Sequence, residues 1–165
     1  MRPTRIEDFS AISGMLFSYT PHSPVNSMKI EFVVTTYNRC PFDFVDDNPL
    51  AWCVHSLMAQ RDCRIEKVAV VNDGSSDYTR RVLEDLERRY AGHPIAFECI
   101  HKRKREGLSA GKALGIANAS APLIGFPDDD VIFPPYFSWA VSAVYSEYER
   151  EDLGAVSLPL YIRSL

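Results

Sequence analysis

The 165-residue chain has 46% apolar and 12% aromatic residues, enough for one domain with a sizeable core, which excludes a disordered protein. Its formal net charge of -4 at pH 7 argues against general binding to polyanions, so we expect no nucleic-acid partner. No stretch approaches the roughly 20 apolar residues of a transmembrane segment, so we expect a cytoplasmic protein that could also act peripherally at a membrane.

The predicted elements begin after an irregular N-terminal arm, residues 1–27. Strands are predicted at 30–36, 65–71, 95–100, 122–126 and 155–162. Helices are predicted at about 49–60, over a segment carrying Val82, Leu83, Leu86 and Tyr90, at about 109–118 with Ser109 as cap, and from Pro134-Pro135 to about Glu149. Strands that alternate with helices imply βαβ units and a mostly parallel sheet, so the predicted fold class is α/β.

Polar residues follow three of the predicted strands. Thr35 to Asn38 end the first strand, Asp73-Gly74-Ser75 end the second, and Asp128 to Asp130 follow the fourth. In open parallel sheets, ligands bind beyond the carboxyl ends of the strands. We therefore expect the three clusters to face one crevice.

The acidic triplet Asp128–Asp130 needs a compensating cation. Two like charges about 4 Å apart repel by roughly 4 kcal/mol at the effective dielectric near a protein surface. Mg²⁺ or Mn²⁺ accepts oxygen ligands, and Mg²⁺ is usually held by one or two carboxylates with substrate phosphates completing its shell. The triplet predicts a site for metal and diphosphate; the alternative is a solvated acidic turn that caps the next helix.

Other site types find no support in the sequence. It has neither the glycine fingerprint of a dinucleotide site nor a P-loop. Cys40, Cys53, Cys63 and Cys99 lack the spacing of zinc or thioredoxin-like motifs, which favours reduced, partly buried thiols. The basic run from His101 to Arg105 is a solvated loop or lies at the mouth of a phosphate-binding site.

Four motifs in order carry a resemblance to a known family. They are Phe32-Val33-Val34-Thr35-Thr36-Tyr37-Asn38-Arg39, Val70-Val71-Asn72-Asp73-Gly74-Ser75-Ser76-Asp77, the segment Gly107 to Ala119, and Pro127-Asp128-Asp129-Asp130. With them the chain resembles the nucleotide-binding half of inverting family 2 glycosyltransferases. The resemblance covers about residues 28–163 and implies the GT-A fold, a three-layer α/β/α arrangement with a mostly parallel sheet.

The resemblance also implies roles for individual residues. Thr35 and Tyr37 would contact the nucleotide base and ribose, and Asp73 would accept a hydrogen bond from the base imide. Asp128 and Asp130 fit the DxD motif, with Asp130 ligating Mn²⁺ or Mg²⁺ directly and Asp128 contacting the ribose or a metal-bound water. Lys112 stands where many relatives have an arginine facing the diphosphate or base.

These residues also have structural interpretations. Tyr37 could be a packed aromatic residue, Asp73 a turn or helix-cap residue, and Lys112 a solvent-exposed helical lysine. Asp129 would be the variable middle residue of the DxD motif.

The resemblance implies transfer of a sugar from a nucleotide-diphosphate sugar, most commonly UDP-linked, to a hydroxyl of a saccharide, lipid or protein, with inversion. The family's catalytic base lies downstream of the DxD motif on an acceptor-binding half, which residues 28–165 are expected to lack. The carboxylates that follow the triplet are predicted to lie at a solvated helix end, so the base is unassigned; they are Glu147, Glu149, Glu151 and Asp152. One alternative is a non-catalytic nucleotide-binding or interaction module; another is a nucleotidyltransferase, which would need a glycine-rich loop after the first strand.

Overall fold

The computed structural model describes residues 28–61, 64–147 and 155. Strands and helices alternate in the order β1 Ile30–Thr36, α1 Pro49–Met58, β2 Ile65–Asn72, α2 Thr79–Arg89, β3 Ala96–His101, α3 Leu108–Ala117, β4 Leu123–Gly125 and α4 Phe137–Glu147. Each of the eight predicted elements within this range is present, with small differences at its ends. The predicted N-terminal arm, residues 1–27, lies outside the described residues, as does all but residue 155 of the predicted strand 155–162.

The four strands form one parallel sheet in the order β3-β2-β1-β4. In register, Val34 of β1 lies beside Val70 of β2, which in turn lies beside Cys99 of β3. Each crossover between parallel strands contains a helix, as βαβ units require. The prediction of an α/β fold with a mostly parallel sheet is therefore confirmed.

The helices cover both faces of this sheet. Phe32 and Val34 of β1 point into the buried core that α1 and α2 complete. On the opposite face, Val33 and Thr35 lie against α3, whose Gly111 and Gly115 come directly over them. Alternate residues of a strand point to opposite faces, so β1 is buried from both sides and is apolar along most of its length. The result is a three-layer α/β/α sandwich.

The first residues of two helices test the predicted N-terminal caps. Asn48 caps α1: its side chain accepts a 2.8 Å hydrogen bond from Ala51 N, and Pro49 occupies the first turn, as the sequence indicates. The predicted Ser109 cap of α3 is wrong, because the helix begins at Leu108 and Gly107 occupies the N-cap with φ 96°. A positive φ favours glycine, so the glycine before the serine sets this boundary.

The thiols agree with the prediction of reduced cysteines. Cys40, Cys53 and Cys99 are free within the described part of the chain. Burial raises the pKa of Cys40 to about 11 and that of Cys53 to about 12, so both are protonated and unreactive at neutral pH. Cys63 lies outside the described residues. Over the described ranges, no helix is both long and apolar enough to cross a bilayer.

Candidate functional site

The carboxyl ends of the strands meet at one edge of the sheet, as predicted. Thr36, the last residue of β1, lies beside Asn72, the last residue of β2. Strand β4 ends earlier: Gly125 is level with Phe32 of β1. The chain after Gly125 therefore continues alongside the end of β1, and this offset brings the acidic triplet to the same edge.

A cavity of about 370 Å³ opens at this edge. It is lined by Thr35, Tyr37, Arg39, Arg105, Leu108, Asp128, Asp129 and Asp130. An adjoining space of about 130 Å³ shares Thr35, Tyr37, Arg105 and Leu108 with it and adds Thr36, Asp73 and Gly107. Five of the six predicted site residues thus surround two adjoining spaces, and the sixth, Lys112, lines neither.

The three carboxylates of the triplet do not share one environment. Asp128 and Asp130 are exposed, whereas Asp129 is only 5% exposed. Asp129 Oδ2 accepts a 2.6 Å hydrogen bond from the hydroxyl of Thr36, and Arg39 binds both of its oxygens. The predicted variable middle residue therefore has a fixed structural environment, and its two neighbours present their carboxylates to the cavity.

Asp73 is held by donors from the segment that follows β3. Its carboxylate accepts hydrogen bonds from Lys102 Nζ at 2.6 Å, from Glu106 N at 3.0 Å and from Gly107 N at 2.7 Å. Burial raises the pKa of Asp73, but the hydrogen bonds from Lys102 and the two amides outweigh burial and lower the pKa overall. Asp73 is therefore ionised at neutral pH.

The segment of residues 102–107, called the basic loop below, closes one side of the site. Its Arg105 guanidinium lies 4.2 Å from the centre of the Tyr37 ring, a cation–π distance. The loop also approaches Gly74 closely: a Cβ built on Gly74 would lie 2.4 Å from the carbonyl carbon of Lys104. Arg105 thus reaches the cavity because glycine at position 74 leaves room for the loop.

Thr35 has an unusual environment at the same site. Its Oγ1 is buried and has no hydrogen-bond partner among the described residues. Buried hydroxyls are normally paired, and this one lies on the side of Thr35 that packs against Gly111 of α3. The residue as a whole lines both spaces, and its contact with a ligand stays a prediction.

Lys112 occupies a different place. It lies on α3, with its Nζ 5.7 Å from the ring centre of Phe126. A cation at this position can interact with the aromatic ring, but it does not reach the lining of either space. The basic residues in the cavity lining are Arg39 and Arg105 instead.

Sequence reasoning missed Arg39 and Arg105. Arg39 follows β1 within the first motif, and Arg105 belongs to the basic run, which is predicted to be a solvated loop or the mouth of a phosphate-binding site. A rule that every basic residue following a strand's carboxyl end is a site candidate would have found Arg39 and favoured the second interpretation of the run.

Comparison with known proteins decides the family. Residues 31–162 match the sequence profile described as Glycosyl transferase family 2. This chain belongs to that family. The match includes all four motifs and every predicted site residue. Membership also argues against a nucleotidyltransferase.

Two relatives of glycosyltransferase family 2 illustrate the similarity. The chain is 31% identical over 136 residues to the uncharacterized glycosyltransferase EpsJ of Bacillus subtilis, covering 82% of this chain and 35% of that protein. It is 32% identical over 127 residues to the validoxylamine A glucosyltransferase of Streptomyces hygroscopicus subsp. limoneus, covering 77% of this chain and 25% of that protein. The chain therefore spans about a third or less of the length of these relatives.

Solved structures confirm the GT-A fold prediction. A crystal structure of S. aureus TarS 1-349 superposes with a TM-score of 0.60 at 19% identity, covering 81% of this chain and 39% of that chain. The mannosyltransferase PcManGT from Pyrobaculum calidifontis, in complex with GDP-Man and Mn²⁺, gives a TM-score of 0.60 at 20% identity, covering 87% of this chain and 39% of that chain. At such identities the likeness shows the fold alone.

Proposed function

We propose that this chain is the donor-binding part of a glycosyltransferase that uses a nucleotide-diphosphate sugar, with UDP as the first candidate nucleotide, and a divalent metal ion. The observation that carries the proposal is the shared cavity, where the exposed carboxylates of Asp128 and Asp130 lie with Thr35, Tyr37 and Arg105. Acidic ligands for a metal, an aromatic ring and a cation are the groups that a nucleotide diphosphate requires.

The donor set fits Mn²⁺ or Mg²⁺. Asp128 and Asp130 supply hard oxygen ligands, with Asp130 as the direct ligand and Asp128 near the ribose or a metal-bound water. Within the described ranges, no three acidic, histidine or cysteine side chains form a complete metal cage. A site with one or two carboxylates suits an ion whose shell is completed by diphosphate oxygens. When bound, the metal would supply a Lewis acid that offsets the charge of the leaving diphosphate.

The nucleoside would lie toward the ends of β1 and β2. Thr35 and Tyr37 line both spaces, and Tyr37 is 37% exposed, so both residues are placed to contact the ribose and base. Asp73 lines the smaller space, but its oxygens already accept bonds from the basic loop. An imide N–H of the base would have to share Oδ2 with Gly107 N. Asp73 therefore serves the proposed site chiefly by holding the basic loop.

Arg105 replaces Lys112 as the proposed cation beside the diphosphate. Arg105 lines both spaces, whereas Lys112 lines neither. A guanidinium can stack on the Tyr37 ring and still donate to phosphate oxygens, since its donors lie in the plane of the group. We expect Arg105→Ala to weaken nucleotide binding more than Lys112→Ala.

The proposed reaction breaks the bond between the anomeric carbon and the diphosphate oxygen and forms a bond to an acceptor hydroxyl from the opposite face. That geometry inverts the anomeric centre; the acceptor proton passes to a general base, and the nucleoside diphosphate leaves. No base is assigned: Glu147 ends α4, and Glu149, Glu151 and Asp152 lie outside the described residues. The acceptor, a saccharide, lipid or protein, and a cytoplasmic location stay predictions.

Isothermal titration of UDP, with and without Mn²⁺, tests the proposal, with GDP as the comparison nucleotide. We expect Mn²⁺ to strengthen UDP binding. In Asp130→Ala, the affinity for UDP in the presence of Mn²⁺ should fall by at least about tenfold, which corresponds to about 1.4 kcal/mol. Asp47→Ala is the matched control, because Asp47 is an exposed carboxylate outside both spaces. Binding of neither nucleotide under any metal condition would reject the proposal and favour a non-catalytic interaction module.

A further inference from the structure

Arg39 makes a two-pronged contact with the buried member of the acidic triplet. Its Nε donates to Asp129 Oδ2 at 3.1 Å, and its Nη2 donates to Asp129 Oδ1 at 2.5 Å. The same Nη2 lies 3.5 Å from Asp130 Oδ2. The planar guanidinium matches the two oxygens of one carboxylate, a geometry that the single ammonium of lysine cannot reproduce.

The contact joins two loops that are distant in sequence. Arg39 lies in the loop after β1, and its backbone N–H donates to Thr79 Oγ1 at 3.0 Å, which anchors it to the start of α2. Asp129 lies in the irregular segment after β4, 90 residues along the chain. The Arg39–Asp129 contact therefore connects this segment to the loop after β1 and, through Thr79, to the start of α2.

The contact also explains how neighbouring carboxylates come to face the cavity. The segment around Asp129 has no regular secondary structure, and contacts with other elements hold it, among them a 3.5 Å hydrogen bond that the Asp128 carbonyl accepts from Cys53 Sγ. Asp129 is turned inward, where Arg39 and the Thr36 hydroxyl hold both of its oxygens. Asp128 and Asp130, on either side, are exposed and line the cavity. Holding the middle residue inward thus directs its neighbours outward.

We infer that Arg39 is a positioning residue: acting through Asp129, it holds Asp128 and Asp130 in the arrangement that receives the metal and diphosphate. The inference rests on the proposed function for the identity of the ligand. It assigns Asp129 a purpose that the DxD pattern alone leaves open. Without the paired hydrogen bonds from Arg39 to Asp129, the two exposed carboxylates of Asp128 and Asp130 lose their fixed spacing. Metal binding would weaken, because a metal shell shared with diphosphate is sensitive to ligand geometry.

Two measurements on the same variants test the inference. The first is isothermal titration of UDP with and without Mn²⁺ into Arg39→Met, Arg39→Lys, Asp129→Asn and the Arg39→Met/Asp129→Asn double variant. We expect Arg39→Met to reduce the Mn²⁺-dependent affinity by about 10- to 100-fold, as loss of a group supporting a metal ligand does, and to reduce it by a larger factor than metal-free UDP binding. Arg39→Lys should reduce the Mn²⁺-dependent affinity by a smaller factor, because lysine keeps the positive charge but cannot donate to both oxygens of the carboxylate in one plane.

The double variant separates positioning from a general effect of charge. If Arg39 acts through Asp129, the double variant should bind no more weakly than Arg39→Met alone. Additive losses would show that Arg39 acts independently of Asp129, and a gain of Mn²⁺ affinity in Arg39→Met would show that its charge opposes the metal; either result would contradict the inference. Arg81→Met is the matched control, since Arg81 pairs with Asp43 at 2.9 Å outside the cavity.

The second measurement needs no ligand. Amide hydrogen exchange of residues 127–131 should accelerate in Arg39→Met and Asp129→Asn but not in Arg81→Met, because the segment loses its contact with the loop after β1. Unchanged exchange together with unchanged Mn²⁺-dependent binding would overturn the inference. If the unmutated chain binds no UDP but the exchange effect appears, the proposed function fails, and with it the metal role of Arg39, while the contact itself stands.

Discussion

Gly111 and Thr35 pack so closely that no side chain fits between them. A Cβ built on Gly111 would lie 2.4 Å from Thr35 Cγ2 and 3.0 Å from its Oγ1. Gly111 is on α3 and Thr35 is near the end of β1, so the absence of a side chain allows the helix to approach the strand. The approach sets the position of Thr35, which lines the candidate nucleotide site.

Gly111→Ala should therefore both destabilise the fold and weaken nucleotide binding. Overpacking of this kind typically costs about 1–3 kcal/mol, and relief of the clash must displace Thr35 or the helix. Gly115→Ala is a matched control, because its Cβ would lie 2.1 Å from Val33 Cγ1, which lines neither space. Urea unfolding should show losses for both variants, whereas UDP titration should show a loss for Gly111→Ala that exceeds its loss of folded protein.

Adding Thr35→Ser to Gly111→Ala should restore part of the lost stability. The substitution removes the Cγ2 methyl group, the atom that a Cβ at position 111 would meet first, and keeps the hydroxyl. The two changes touch one contact, so their effects should not be additive. Equal stability of Gly111→Ala with and without Thr35→Ser in urea unfolding would show that the methyl contact is not the cause.

Gly74→Ala should be much more harmful than Gly92→Ala. Both glycines have positive φ, 72° and 78°, so each substitution carries backbone strain of roughly 1–2 kcal/mol. At Gly92 nothing lies within 4 Å of the new Cβ, whereas at Gly74 the backbone of Lys104 and Arg105 is in the way. Denaturant midpoints should separate the two variants, and similar midpoints would mean that the basic loop moves aside at little cost.

The sequence predicts which residues meet at the carboxyl edge of the sheet, but it does not predict which side chains pair with one another there. Alternating strands and helices place Thr35, Tyr37 and Asp128 together, because parallel strands share a carboxyl edge. The partners of Asp129 and Asp73 were not predictable, since they lie 90 and 29 residues away and depend on how loops fold over the edge. No local pattern records such pairs. The resemblance to the family points to Lys112 instead of Arg105, because Lys112 stands where many relatives have an arginine.

Thr36→Val should destabilise the chain more than its size suggests. Valine has nearly the same shape but cannot donate the 2.6 Å hydrogen bond to Asp129 Oδ2, and that oxygen is buried. Hydrogen bonds to charged groups contribute about 1.5–3 kcal/mol, so a loss in this range is expected from urea unfolding. Thr36→Ser keeps the hydroxyl and should lie closer to the unmutated chain; equal losses for both would assign the effect to packing.

The ion pair of Asp73 and Lys102 should make stability depend on pH in the acid range. The folded-state pKa of Asp73 lies below its ordinary value of 3.8, so the unfolded chain takes up a proton at this residue more readily than the folded chain. Its contribution to the free energy of unfolding is therefore complete above about pH 4 and is lost as the pH falls through the folded-state pKa. Asp73→Asn cannot titrate, so the difference between the two chains isolates this residue.

We expect Asp73→Asn to be less stable than the unmutated chain by a constant amount at pH 7 and pH 5, with the difference shrinking at pH 3 and below. Urea unfolding at each pH measures it. Glu84→Gln serves as the control, because Glu84 pairs with Arg80 on the exposed surface of α2, where ion pairs contribute little at any pH. A difference between Asp73→Asn and the unmutated chain that stays constant down to the lowest pH at which both fold would show that the carboxylate's charge is not what holds the basic loop.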